Sequence, residues 1–122
     1  MRYTVDEVFN MLGTDALTVE FIDRKSRDSI EVEGYQVYRQ SLRYATFYKK
    51  GCTCAGCGKV GTYFELDPGD NSRRKHFNLY ADDGTLMTKD HIVPKKHGGK
   101  NTISNMQTMC VTCNCAKGAN LC

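Results

Sequence analysis

The 122-residue sequence contains no apolar run long enough to span a bilayer, and none near its start that could serve as a secretory signal. It also shows no internal repeat, no low-complexity tract and no obvious interdomain linker. With 40% hydrophobic and 25% charged residues, the composition excludes disordered, fibrous and membrane classes. These absences predict one soluble domain in a reducing, cytoplasmic compartment. Net charge is scarce too: 17 basic and 14 acidic residues leave +3. A chain of this length buries only about two-thirds of its unfolded surface, so a structural metal would help its small core.

What the sequence has in excess is cysteine. Seven is an odd number, which argues against a closed disulfide framework. Four of them form two CxxC pairs, Cys54 with Cys57 and Cys110 with Cys113, and in a reducing setting such pairs read as ligands of one tetrahedral Zn2+. Four thiolates around one dication would lower the net charge to about +1. Two redox dithiols or unrelated buried cysteines are the competing reading. Cys52, Cys115 and Cys122 are left over as expected free thiols; Cys52 or Cys115 could replace a neighbour, but their spacing suits a knuckle less.

The pattern of apolar residues gives a coarse set of elements. Thr4 and Glu7 have capping-box spacing ahead of Val5, Val8, Phe9 and Leu12, which predicts a short amphipathic helix ending at Gly13. Leu17, Val19 and Phe21 alternate with polar residues, as do Ile30 and Val32, and the two runs predict a hairpin. A second helix is expected over 41–49, a strand over 62–66, and a polar loop over 67–75. The runs 76–81 and 86–92 flank Asp82-Asp83-Gly84 and predict another hairpin. Pro94, Gly98 and Gly99 require a loop; a helical turn is expected over 103–109 and a final helix over 114–117, stopped by Gly118.

Between and after the thiols lie residues suited to metal-assisted phosphodiester hydrolysis. Asp90 and Asn114 offer hard oxygen ligands for Mg2+ or Mn2+, with positions left open for substrate. His91, with a side chain that titrates near neutrality, suits the general base. Neighbours in a regular strand point to opposite faces, so the expectation that Asp90 and His91 act together requires a break in the pleat, which Pro94 makes plausible. Asn105, with donor and acceptor, is expected to tie the glycine loop to the chain near His91. Lys95, Lys96, Lys117, Arg73 and Arg74 are candidate phosphate contacts, with solvated surface charge as the plainer reading of any one cluster.

The string Lys89-Asp90-His91-Ile92-Val93-Pro94, followed by Gly98-Gly99-x-Asn101-x-x-x-Asn105 and Cys110-x-x-Cys113-Asn114-x-x-Lys117, resembles the HNH endonuclease family, particularly its small phage and prophage members. The resemblance covers roughly residues 52–118. It implies an α+β fold with a zinc-stapled ββα-metal (His-Me finger) core over 51–122; residues 1–50 lie outside the resemblance, and their patterning predicts an N-terminal helix and β-hairpin extension packed on that core. It implies His91 as general base, Asn105 as the central asparagine, and Asn114 in the third position, where the literal motif has histidine. That departure favours Mg2+ or Mn2+ over nickel or zinc at the catalytic site.

The function expected is a metal-dependent DNA endonuclease or nicking enzyme acting on double-stranded DNA, leaving a 5′-phosphate and a 3′-hydroxyl. The chain would work as a monomer or weak homodimer in a bacterial host cytoplasm, with phage packaging proteins as further candidate partners. The alternatives are a zinc-binding nucleic-acid module without catalysis and a packaging accessory that keeps the zinc as a staple.

Overall fold

In a computed structural model that describes residues 1–68 and 73–117, the chain opens with a strand that sequence patterning did not reveal. β1 (Arg2–Thr4) is followed by α1 (Val5–Leu12), whose N-terminus carries the expected capping box: Thr4 Oγ1 accepts from Glu7 N–H and the Glu7 carboxylate accepts from Thr4 N–H. Such a reciprocal cap contributes about 1 kcal/mol. Val8 and Leu12 project from one face of this helix into the core.

The next segment departs from expectation. Leu17 belongs to a helical turn, α2 (Thr14–Leu17), that buries Ala16 and Leu17, and Phe21 is largely exposed, so 17–21 is not a strand. The hairpin instead joins β2 (Ser29–Val32) to β3 (Tyr35–Tyr38). Its two-residue turn, Glu33-Gly34, has φ of 53° and 84°. Positive φ at both turn positions matches the right-handed twist of the flanking strands, which a turn across the charged 24–28 segment could not supply.

α3 (Leu42–Lys50) starts on Ser41, whose hydroxyl accepts from the Arg43 and Tyr44 N–H groups, and stops at Gly51 with φ 90°. It buries Tyr44, Ala45, Thr46 and Phe47, and the Tyr44 and Phe47 rings meet Phe77 and Phe64 of a three-stranded antiparallel sheet in which β4 (Gly61–Pro68) lies between β1 and β5 (Lys75–Ala81). Phe64 on β4 meets Phe9, Phe47 and Phe77 in tilted or edge-on ring contacts, the arrangement that adds attraction beyond area burial. One hydrophobic cluster thus joins residues of the first fifty with those that follow.

The second expected hairpin is also re-paired. The turn at Asp82-Asp83-Gly84 forms, and Tyr80 bridges Leu86, but β6 (Met87–His91) then leaves β5. Its ladder partner is β7 (Met106–Cys110), in the register Met87↔Cys110, Asp90↔Gln107 and His91↔Met106. The helical turn expected over 103–109 is therefore a 3₁₀ turn (Ile103–Asn105) leading into a strand. Burial decides this, because Met106, Thr108, Met109 and Cys110 all pack inward. α4 (Val111–Lys117) follows without a loop and begins three residues earlier than expected. The result is an α+β fold with a β6–β7–α4 unit at one end. No helix among the described residues is long and apolar enough to cross a membrane. Gly118 and Cys122 lie outside the described residues.

Candidate functional site

The Sγ atoms of Cys54, Cys57, Cys110 and Cys113 all lie within 4.8 Å of one another. A tetrahedral zinc with Zn–S of about 2.3 Å has S···S edges of about 3.8 Å, and Cys57 Sγ and Cys110 Sγ are 3.8 Å apart. The donor set therefore fits Zn2+ in number, chemistry and spacing. Both knuckles direct backbone N–H groups at sulfur: Gly56 and Cys57 donate to Cys54 Sγ, and Cys113 donates to Cys110 Sγ. Burial works against the Cys54 thiolate, but the backbone N–H groups of Cys110, Cys57 and Gly56 outweigh it and hold the thiol down to about 6. Hydrogen bonding to the Cys110, Cys57 and Cys54 sulfurs pushes Cys113 up to about 12, so four sulfurs this close require a cation among them to be thiolate together.

Local sequence explains why the knuckles meet. A side chain at Gly56 would bring its Cβ to 3.0 Å from Cys113 Sγ, a tight contact that glycine avoids where the first knuckle approaches the second. Ala55 N–H donates to Thr108 C=O, and the buried Thr108 hydroxyl donates to Gly51 C=O at 2.6 Å, fastening the first knuckle along β7. Cys52 lies apart from the cluster; burial pushes its thiol up to about 11. Cys115, expected to be a free thiol, is disulfide-bonded.

The other half of the site lies where β6 ends. Strand pairing continues through His91, so the pleat does not break at Asp90 and His91, and their side chains leave opposite faces of β6. Asp90 faces α4: its Oδ2 accepts from Lys117 Nζ at 2.5 Å and from Gln107 Nε2 at 2.9 Å. Two residues earlier on the same face, Thr88 Oγ1 accepts from Asn114 Nδ2 at 2.9 Å. Asp90 Oδ1 and Asn114 Oδ1 have no hydrogen-bond partner among the described residues, which leaves one hard oxygen from each for a divalent cation. Lys117 also donates to His91 C=O at 2.8 Å, so its ammonium bridges the strand end.

On the opposite face, His91 Nε2 lies 2.7 Å from Asn101 Oδ1. The loop carrying Asn101 is pinned by Asn105, whose Oδ1 accepts from Val93 N–H while its Nδ2 donates to Val93 C=O and Lys100 C=O. Its own backbone carbonyl accepts from Ile92 N–H. Gly99 is indispensable to this loop: a Cβ there would lie 1.7 Å from Val93 O. The 3₁₀ turn preceding β7 is in turn fixed from the N-terminal segment by Glu20, which accepts from Ile103 and Ser104 N–H and is held below the usual carboxylate range by the Ser104 amide.

The expected phosphate contacts are placed unequally. Lys95 and His91 line one cavity of about 320 Å³, together with Lys89 and Asn101. Burial lowers the Lys89 ammonium, and the nearby Arg43 and Lys95 charges lower it further. Arg74 lines a second cavity, Lys96 is exposed on the 3₁₀ turn (Lys95–His97), Lys117 is engaged with Asp90, and Arg73 gives its carbonyl to Gln36 N–H. Sequence reasoning missed Asn101, Gln107 and Thr88 as partners of site residues. For Gln107 and Thr88 the signal is cross-strand register and helix docking, which a single sequence does not display.

No curated protein and no solved structure gives a significant match to the chain. The family model of the HNH endonucleases does match, over residues 74–120. That span contains β6, β7, α4 and the second knuckle, and the first knuckle lies before it. Residues 74–120 thus match the HNH endonuclease domain, and the cysteine cluster is consistent with a zinc-binding variant of it.

Proposed function

We propose that the protein is a metal-dependent endonuclease or nickase of double-stranded DNA, with His91 as its general base. The observation carrying this reading is the end of β6, where a pinned histidine and two available hard oxygens flank one strand terminus. A staple alone needs the cysteines and has no use for that arrangement. HNH domains act on nucleic acids, which supports DNA as the partner.

In the proposed reaction Asn101 Oδ1 holds the proton on His91 Nε2, so the Nδ1 lone pair takes a proton from the attacking water. The water oxygen bonds to phosphorus as the bond from phosphorus to the 3′-oxygen breaks. The 3′-oxygen leaves and gains a proton, which yields 5′-phosphate and 3′-hydroxyl ends. Asp90 and Asn114 would hold Mg2+ or Mn2+, which when bound neutralises charge developing on the phosphoryl oxygens. Because Asp90 and His91 leave opposite faces, the scissile phosphate must sit over the end of the strand, reached from both sides. Asn105 acts through His91, as a positioning residue.

Supercoiled plasmid incubated with Mg2+ or Mn2+ tests this directly. Wild type converts it to nicked or linear product, chelation of the divalent metal stops the reaction, and His91→Ala lowers the rate by about 10²–10⁴-fold. Equal cleavage by wild type and His91→Ala contradicts the assignment. DNA binding without any cleavage would favour a non-catalytic zinc module instead; the Lys117 ammonium on Asp90 is the observation on that side.

A further inference from the structure

Two cavities, of about 320 and 460 Å³, share Arg24, Arg27, Gln40 and Ser41 as a common wall, so they form one groove. At one end stands His91, at the other Arg74. Seven of the chain's 17 lysines and arginines line this groove, and none of the described aspartates or glutamates does. In a protein with nearly balanced charge, that segregation creates a field suited to a polyanion.

The groove cations are also unneutralised. Elsewhere on the surface, Arg39 is locked between Asp15 and Asp28, at 3.0 and 2.8 Å. Among the described residues none of the seven groove cations except Arg43, through the Asn78 amide, has a side-chain hydrogen-bond acceptor, and none has a carboxylate partner. Arg27 and Arg74 instead stack on the Tyr38 ring, with Cζ 3.9 and 3.7 Å from its centroid. That stacking holds two like charges near each other around one aromatic ring. Arg74 Nη1 is buried and has no hydrogen-bond partner among the described residues. A buried guanidinium N–H left unsatisfied is unfavourable unless a ligand oxygen completes it.

We infer that the N-terminal segment, through Arg24 and Arg27, builds the second wall of a groove that seats DNA backbone phosphates between His91 and Arg74. This rests on the nuclease reading for the position of the scissile phosphate, but the groove is separable from it by experiment. The segment preceding the family match thereby holds the strand that the β6–β7–α4 unit cuts. The hairpin is tied to this wall by a parallel bridge between Gln36 of β3 and Arg74, the residue before β5.

The test is equilibrium binding of a fluorescent DNA duplex to the full zinc-loaded chain without added magnesium or manganese, across a range of salt. An Arg24→Ala/Arg27→Ala double variant should bind at least about ten-fold more weakly, and its dependence of log affinity on log salt should be shallower by about 2, at roughly one per lost phosphate contact. Lys25→Ala, on the same turn but outside both cavities, should stay within about two-fold of wild type, since it loses no phosphate contact. Arg24→Glu, at an exposed position, gives the same sign if the double variant loses thermal stability. Wild-type binding by the double variant and by Arg24→Glu overturns the groove, and so does an equal loss in Lys25→Ala, which would indicate bulk charge. The plasmid assay separates the two readings: the arginine effect in a protein that cuts nothing keeps the groove and removes the nuclease, whereas undiminished cutting and binding by the double variant does the reverse.

Discussion

The sulfur cluster and the end of β6 share two elements, β7 and α4, and meet at the adjacent residues Cys113 and Asn114, yet they are finished in opposite ways. At the cluster, Sγ acceptors face backbone donors, Gly56 leaves room for the close approach, and the four sulfurs could fill all four positions of a tetrahedral ion. At the strand end, Asp90 and Asn114 each retain an oxygen without a partner among the described residues, and His91 borders an open cavity. A closed coordination shell stabilises and does not react; an open one is what a substrate can enter. In the proposed reading, Asn114 at the strand end is anchored one residue away from the ligand Cys113.

The largest expected effect breaks the comparison on its closed side. Cys110→Ser, or prolonged strong chelation, should remove the zinc and abolish cooperative thermal unfolding, since structural zinc binding in comparable small modules is worth about 10–16 kcal/mol. Retention of one zinc per chain with an unchanged melting temperature in Cys110→Ser would refute the four-cysteine assignment.

Next comes the loop on the open side. Gly99→Ala places a methyl where Val93 O already lies, so the loop carrying Asn101 must move. Cleavage should fall about 10²-fold, as an ångström of misplacement can cost, while zinc content stays at wild type. An undiminished cleavage rate would show that the loop does not position His91. Asn105→Ala removes the side-chain bonds to Val93 and Lys100 and should cost about 1–3 kcal/mol of stability, read by denaturant titration, together with a lower kcat. An unchanged stability and kcat would remove its positioning role.

The smallest effect sharpens the contrast at Asp90. Lys117→Met removes the ammonium from Asp90 Oδ2 and should raise Mn2+ affinity several-fold, measured by the free-ion electron paramagnetic resonance signal, without changing zinc content. A weaker Mn2+ affinity would mean that Lys117 supports the metal site and does not compete for it.

How much of this was legible depended on how local the determinant was. The knuckles are set by four positions of chain each, and Cys-x-x-Cys displays them outright. The Thr4 capping box and the Ser41-to-Gly51 helix are equally local, and their boundaries match to within a residue. β7 was hidden because Met106, Thr108, Met109 and Cys110 are all buried, which erases the alternation that marks a half-exposed strand. Leu17, Val19 and Phe21 alternate by coincidence, while the true hairpin is selected by Glu33-Gly34, a turn visible only once its positive φ values are known. β1 is three residues long and exists only because β4 is there to pair with it. At the site, the tie from Asn105 to the glycine loop follows from amide chemistry, but Asn101 beside His91 and Gln107 opposite Asp90 depend on pairings that sequence spacing cannot show.

The most direct test of the division between a zinc that builds and a strand end that cuts is to measure zinc content and plasmid cleavage on the same preparations of wild type, His91→Ala and Asn114→Ala. The account predicts one zinc per chain and an unchanged melting temperature in all three, with cleavage reduced by about 10²-fold or more in both variants. Cleavage at the wild-type rate by either variant, or loss of zinc in parallel with loss of activity, would contradict it.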